Sequence, residues 1–202
     1  MKRNGLKVLA GIGGVLALLV VVVLARTFML EPPPAVEAQA TSTGVSEAAA
    51  AKAAEHLSAA IKLQTISWQR GATGAKADAS AKALIDFRDF ITATYPAFSK
   101  ATTREIVSGY SLLFTWQGSD EALKPVLLMS HMDVVPVVAG TEDDWTHPPF
   151  AGDIADGSVW GRGAIDCKGS LIAMLEAAET LAAQGFQPKR TIMFAFGHDE
   201  EV

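Results

Sequence analysis

The sequence predicts an α/β protein, a sheet flanked by helices, preceded by one apolar helix of membrane-spanning length. Three observations lead there. Segments with helix-period apolar residues alternate with short strand-like runs. A strand, a long loop, a helix and a second strand follow one another from Val126 to Phe196, the grammar of an α/β sheet. Before all of these, Val8–Ala25 is an unbroken run of 18 uncharged residues. Half of the chain is apolar and 19% is charged, a mix that builds a core and is unlike that of a disordered chain.

The Val8–Ala25 run would reach ~27 Å as a helix, close to the ~30 Å hydrocarbon core of a bilayer. A signal peptide has a shorter apolar core, of roughly 7–15 residues, followed closely by a small-residue cleavage site. Here the one tidy A-x-A, Ala38-Gln39-Ala40, lies well beyond Ala25. An uncleaved anchor is therefore expected, with a secreted product of signal cleavage as the alternative. Lys2, Arg3 and Lys7 precede the run, so the positive-inside bias leaves that end in the cytoplasm and the body outside it. The domain boundaries expected are an anchor or signal over 1–30, a Pro/Ala-rich stalk over 31–45, and a globular part over 46–202. The stalk follows from Pro32-Pro33-Pro34, which favour extended polyproline II.

In the globular part, Ser46 caps an alanine-rich helix that runs to Leu63. After a loop over Trp68–Ala77, Leu84, Phe87 and Ile91 mark an amphipathic helix over Asp78–Thr94, ended by Pro96. Strands are expected over Thr102–Val107 and Tyr110–Trp116, joined at Ser108-Gly109, and over Val126–Met132. Asp133–Gly152 reads as a long loop, and Asp156-Gly157 as a tight turn between Ile154 and Val159. Ser170–Gln184 is a helix with Leu171, Met174, Leu175, Ala178 and Leu181 on one side and Gly185 as its stop. Thr191–Phe196 is a buried-type strand.

Charge and cysteine content exclude some functions. The net charge is −5, and Lys2, Arg3, Lys7 and Arg26 meet no acid within residues 1–30, so the body is more acidic still. An acidic body lacks the basic face that nucleic-acid phosphates require. The single cysteine, Cys167, permits neither an intrachain disulfide nor a four-cysteine zinc cage.

Three segments carry chemistry, and each sits where an α/β sheet gathers its ligands, beyond the carboxyl ends of strands. His131 and Asp133 end the VLLMS strand. Residues i and i+2 share a strand face, and a metal-bound imidazole gives its second N–H to a carboxylate. Such an H-x-D also recurs by chance. In Gly161–Gly169, Asp166 stands where a dinucleotide fingerprint needs its third glycine, and it would repel a pyrophosphate. The glycines instead permit close backbone approach around one carboxylate, suited to bridging two cations or to capping the next helix. Glu200 and Glu201 follow TIMFAF, where buried-strand acids must be hydrated, paired or metal-bound. Adjacent glutamates face different ways, so one can bind metal while the other handles protons. Cys167 reads as a neutral neighbour shaping the Asp166 backbone, His147 and His198 as structural or near-site groups, and His56 as a surface residue.

The three segments together are more specific than any one. An Asp follows the His of H-x-D by 35 positions, and Glu-Glu comes 34 positions later. With TYPAF, YSLLFTWQGSD, PVLLMSHMDVVPV, WTHPPFAG, GSVWGRGAIDCKGS and FGHDEEV, this resembles the M20 family of zinc metallopeptidases, in the branch with carboxypeptidase S and the N-acyl-amino-acid hydrolases. The resemblance implies a three-layer mixed sheet with flanking helices, of which this sequence holds the amino-terminal part. It implies two zinc ions per complete subunit, with His131 binding one, Glu201 the other and Asp166 both. Glu200 would be the general base, and Asp133 would support His131. It implies hydrolysis of a peptide or an N-acyl amino acid, next to a free carboxylate, by metal-activated water. Further ligands and a lid domain mediating a homodimer are expected beyond Val202. The alternative from another class is a non-catalytic, membrane-tethered fragment that binds a metal or a partner.

Overall fold

The computed structural model describes residues 2–30, 44–68 and 71–202, in two units divided between Gly44 and Val45. The amino-terminal unit is one helix, α1 (Lys2–Phe28), whose side chains from Gly11 onward are exposed. Its Gly11–Phe28 stretch is long and apolar enough to cross a membrane, and lies slightly later than the run picked out by sequence. Of the stalk expected over 31–45, residues 31–43 lie outside the described residues.

The second unit opens with α2 (Glu47–Lys62), and the Ser46 hydroxyl accepts the Ala49 N–H at 3.2 Å, the cap that the sequence predicts. α3 (Ala75–Thr94) starts three residues before the expected Asp78, because Gly74 (φ +80°) turns the chain and its carbonyl takes the Asp78 N–H at 3.0 Å. Pro96 does end α3, yet it also begins α4 (Pro96–Ala101), since a first-turn proline gives up no needed N–H. The free amides of Ala97 and Phe98 then donate to the Glu179 carboxylate, at 3.1 and 2.7 Å.

Six strands follow. β1 (Thr103–Val107) and β2 (Ser111–Trp116) form the predicted hairpin, and Ser108 and Gly109 both take positive φ at its turn. β3 is Val126–His131. β4 (Ile154–Ala155) and β5 (Ser158–Val159) pair around Asp156-Gly157. After α5 (Lys168–Ala183) comes β6 (Ile192–Gly197). The main sheet has the order β1-β2-β6-β3, antiparallel at β1-β2 and β2-β6 and parallel at β6-β3, a mixed sheet as expected.

Leu112, Phe114, Trp116, Phe194 and Phe196 project from one sheet face into a single buried cluster. Leu84, Phe87 and Ile91 of α3, Phe98 of α4, and Leu171, Ile172 and Leu175 of α5 complete it. Ile172 takes part in place of Leu181, which is 38% exposed. Ten residues beyond Leu171, Leu181 is turned roughly 80° from its line at 3.6 residues per turn, outside the packed arc. On the other sheet face, Leu127 and Met129 are exposed. Of the three layers expected, the described residues form the sheet and one helical layer. The parallel β3-β6 pair positions the site: His131 is in register with Gly197, so the chain leaving β3 and the chain leaving β6 emerge side by side.

Candidate metal and catalytic centre

His131 is the last residue of β3 and is 8% exposed. Its Nδ1 lies 3.0 Å from the Asp133 carbonyl and 3.4 Å from Asp133 Oδ1. β3 ends at His131, so strand alternation does not orient Asp133; the chain turns there and Asp133 still comes to the ring. With Nδ1–H given to that carbonyl, Nε2 is the nitrogen that faces the acids opposite, and it donates to Asp166 when the ring is protonated. Nε2 is 3.1 Å from Asp166 Oδ1 and 3.7 Å from Glu200 Oε2. Burial pulls the imidazole pKa down. The bond to the Asp133 carbonyl, the Asp133 charge, the Asp166 bond and the Glu200 charge together outweigh it and raise the pKa above its ordinary value.

Asp166 is held by a tight backbone. A Cβ on Gly163 (φ +85°) would stand 2.6 Å from Val134 Cγ1, and one on Gly169 would stand 2.3 Å from the Ala164 carbonyl oxygen. Those two glycines let the loop fold down onto β3 and the start of α5. Asp166 does not cap α5, because the cap position is Cys167, without a side-chain bond. The Cys167 thiol lies 2.9 Å from Ser130 Oγ and accepts the His131 N–H at 3.3 Å, bracing the backbone beside Asp166.

Glu200 and Glu201 lie just past β6. The Glu201 N–H donates to Asp133 Oδ2 at 3.1 Å, which ties this turn to the other strand end. Glu200's side chain is 63% exposed. Burial, first, and then the Asp166 charge raise the Glu201 pKa, against a lowering pull from His131. Among the described residues, two groups place their ligand atoms within 4.8 Å of one another: His131 with Asp166 and Cys167, and His131 with Glu200 and Glu201. All five residues expected at the site from sequence thus come together. Four carboxylates around one imidazole are an unbalanced set. The fully buried Asp133 also keeps Oδ1 without a hydrogen bond. A donor set of one imidazole and several carboxylates fits a divalent cation and suits zinc.

Two supporting residues escaped the sequence reading. Lys168 is fully buried; its Nζ donates to the carbonyls of Ala60 (2.9 Å) and Leu63 (2.7 Å) at the end of α2 and lies 5.1 Å from the Phe87 ring centroid. Burial pushes its pKa down to about 7, partly opposed by the Asp133 charge. Ser67 donates its hydroxyl to Asp133 Oδ2 at 2.6 Å. Its signal in sequence is nil, since 66 residues separate the partners.

The other histidines sort differently. His147 Nδ1 is 3.0 Å from Asp153 Oδ2 and its ring faces Trp160; His198 Nδ1 is 2.6 Å from Ser111 Oγ. Both rings have side-chain partners of their own. His56 is a correction. It is not a surface residue, since its side chain is 18% exposed, its Nδ1 is 2.5 Å from Glu176 Oε1, and its ring meets Tyr95 edge-on. The alanine-rich face of α2 comes close enough to α5 to enclose it.

A cleft of about 730 Å³ opens beside Asp166, walled by Trp145, His147, Trp160 and Arg162. The Arg162 guanidinium rests 5.2 Å from the Trp145 ring, and its buried Nε has no hydrogen-bond partner among the described residues.

Residues 127–202 match the model of peptidase family M20/M25/M40. The chain is 51% identical over 118 residues to a probable carboxypeptidase S-like 2 of Dictyostelium discoideum, covering 58% of this chain and 22% of that protein. It is 41% identical over 150 residues to the mouse (Mus musculus) N-fatty-acyl-amino acid synthase/hydrolase PM20D1, covering 73% of this chain and 28% of that protein. Human carnosine dipeptidase 1 shares the fold, with a TM-score of 0.61 at 22% identity over 85% of this chain and 36% of that one. The chain thus spans between about a fifth and two fifths of the length of these proteins.

Proposed function

We propose that this chain belongs to peptidase family M20/M25/M40, whose model its residues 127–202 match, and that it serves in zinc-dependent hydrolysis of an amide or peptide bond next to a free carboxylate. Its substrates would be peptides or N-acyl amino acids, as the names of its relatives suggest. The observation that carries this reading is the meeting of Asp166 and Glu200 at His131 Nε2, with Asp133 at the other ring nitrogen.

In this reading His131, Asp166 and Glu201 would hold two zinc ions. Zinc bound there would supply Lewis acidity toward a carbonyl and toward water. The Asp133 carbonyl holds His131 Nδ1, which keeps Nε2 as the donor nitrogen. Glu200 is the most exposed of the acids near the ring after Asp166, and among the described residues it has no hydrogen-bond partner to give up. It takes the proton from the attacking water and passes it to the departing amine. The Trp145–Arg162 cleft gives the substrate room to reach Asp166.

α1 would anchor the protein as a single-pass segment, with the positive residues before the apolar run on the cytoplasmic side and the second unit outside the cytoplasm. Secretion after signal cleavage is the other arrangement that such a helix permits.

Glu200→Gln in the full-length protein tests the base. Zinc content stays at the parental level while turnover of peptides and N-acyl amino acids falls ~10²–10⁴-fold. Parental turnover in that variant would remove Glu200 from the role. Glu201→Ala lowers the metal content instead, measured by elemental analysis after dialysis.

A further inference from the structure

We propose that Ser67 is a positioning residue of this site, acting through Asp133 on both His131 and the Glu200-Glu201 turn. The inference rests on the reading of His131 as a metal ligand given above.

Asp133 is fully buried, and its two oxygens are used differently. Oδ1 faces His131 Nδ1 at 3.4 Å. Oδ2 receives two donors, the Ser67 hydroxyl at 2.6 Å and the Glu201 N–H at 3.1 Å. One backbone N–H leaves a carboxylate free to swing about its last torsion, which is broad for aspartate. A second donor from another segment fixes the plane, and with it the oxygen that faces the imidazole.

Ser67 is itself firmly placed. Its N–H donates to the Val134 carbonyl at 2.9 Å, and the Val134 N–H donates to Thr65 at 3.0 Å, around a parallel bridge between Ile66 and Val134. Thr65 Oγ1 donates to the Met132 carbonyl at 2.5 Å, and Ser80 Oγ to the Ile66 carbonyl at 2.6 Å. Residues 65–67 thus form a rail along 132–134. That rail is built from main-chain bonds and from Thr65 and Ser80, none of which needs the Ser67 hydroxyl. The hydroxyl is left to serve Asp133, and it also lies 3.4 Å from the His198 carbonyl, next to the turn carrying Glu200. One side chain from before the sheet therefore touches the segments leaving both β3 and β6. A group that fixes the partner of a metal-binding histidine has an effect of ~10–100-fold on metal affinity or activity.

Ser67→Ala, Ser67→Val and Ser67→Thr in the full-length protein test this. Zinc affinity is read by chelator competition, kcat and KM on an N-acyl amino acid, and folding by thermal unfolding. The His131 ring is followed in the metal-free protein by its imidazole nitrogen resonances, a readout that needs neither metal nor turnover. Expected for Ala and Val are ~10–100-fold weaker zinc binding and a comparable loss in kcat with KM little changed, and a shifted or broadened His131 signal. Thr restores all three to near the parental values because it restores the hydroxyl. Unaltered His131 resonances and zinc affinity in Ser67→Ala would overturn the proposal, as would a Thr variant as impaired as Val at equal thermal stability. Parental turnover in Glu200→Gln would instead sink the catalytic reading and leave the Ser67 result standing.

Discussion

Asp133 Oδ2 accepts the backbone N–H of Glu201 at 3.1 Å, across 68 residues of sequence. Through this bond the strand end that carries His131 and the strand end that carries the two glutamates are set relative to each other. Asp133→Ala cuts that tie and removes the charge facing His131 Nδ1. The expected result is zinc binding weakened ~10–100-fold, measured by calorimetric titration of the metal-free protein. Parental affinity would show that Asp133 supports the fold alone.

Gly169 has no room for a side chain, because a Cβ there would stand 2.3 Å from the Ala164 carbonyl oxygen. Gly169→Ala must move the backbone of the loop that carries Asp166. Overpacking of this kind costs about 1–3 kcal/mol, to be read by denaturant unfolding. Zinc content falls with it, since the displaced loop includes a proposed ligand.

Lys168→Met keeps most of the apolar stem and deletes both bonds to the end of α2. The Ala60 and Leu63 carbonyls each retain a backbone donor, Leu63 N–H at 3.3 Å and Thr65 N–H at 2.9 Å, so neither is orphaned. What is lost is the charge-assisted pair, offset by relief from burying an ammonium group. The expected net effect is a destabilisation of about 1–2 kcal/mol, seen as a melting temperature lower by several degrees. A melting temperature at or above the parental value would mean that the relief from burial wins.

Tyr95 is fully buried, and burial, then its 2.8 Å bond to Glu176, raise its pKa well above the ordinary 10.0. Below that ordinary value, folded and unfolded chains both keep the phenolic proton, so Tyr95 adds no pH dependence. Above it, the unfolded chain releases the proton while the folded chain holds it, and stability falls as pH rises. Tyr95→Phe removes this alkaline slope. Denaturant unfolding of both proteins on either side of pH 10 measures the difference, and identical slopes would contradict it.

Much of the fold is legible in the sequence, because its signals are local. Ser46 caps α2, Pro96 ends α3, and Asp156-Gly157 turns a hairpin through backbone preferences that act within a few residues. Leu181 was misplaced because a stripe read on a helix does not tell where its neighbours stop.

The site divides in the same way. The amino-acid sequence by itself determined the residue types and their order: H-x-D at a strand end, an aspartate among glycines, and paired glutamates after a buried strand. Those features depend on strand periodicity and on the chemistry each side chain brings. Only the tertiary structure decided that His131 Nδ1 takes the Asp133 carbonyl ahead of its carboxylate, that His56 is enclosed against Glu176 and Tyr95, and that Ser67 and Lys168 stand beneath the site. The contacts of His56, Ser67 and Lys168 join segments far apart in the chain, whereas His131 and Asp133 are two residues apart and meet through the turn that ends β3. Such contacts are set by how helices and strands pack, and packing leaves no periodic mark at either partner.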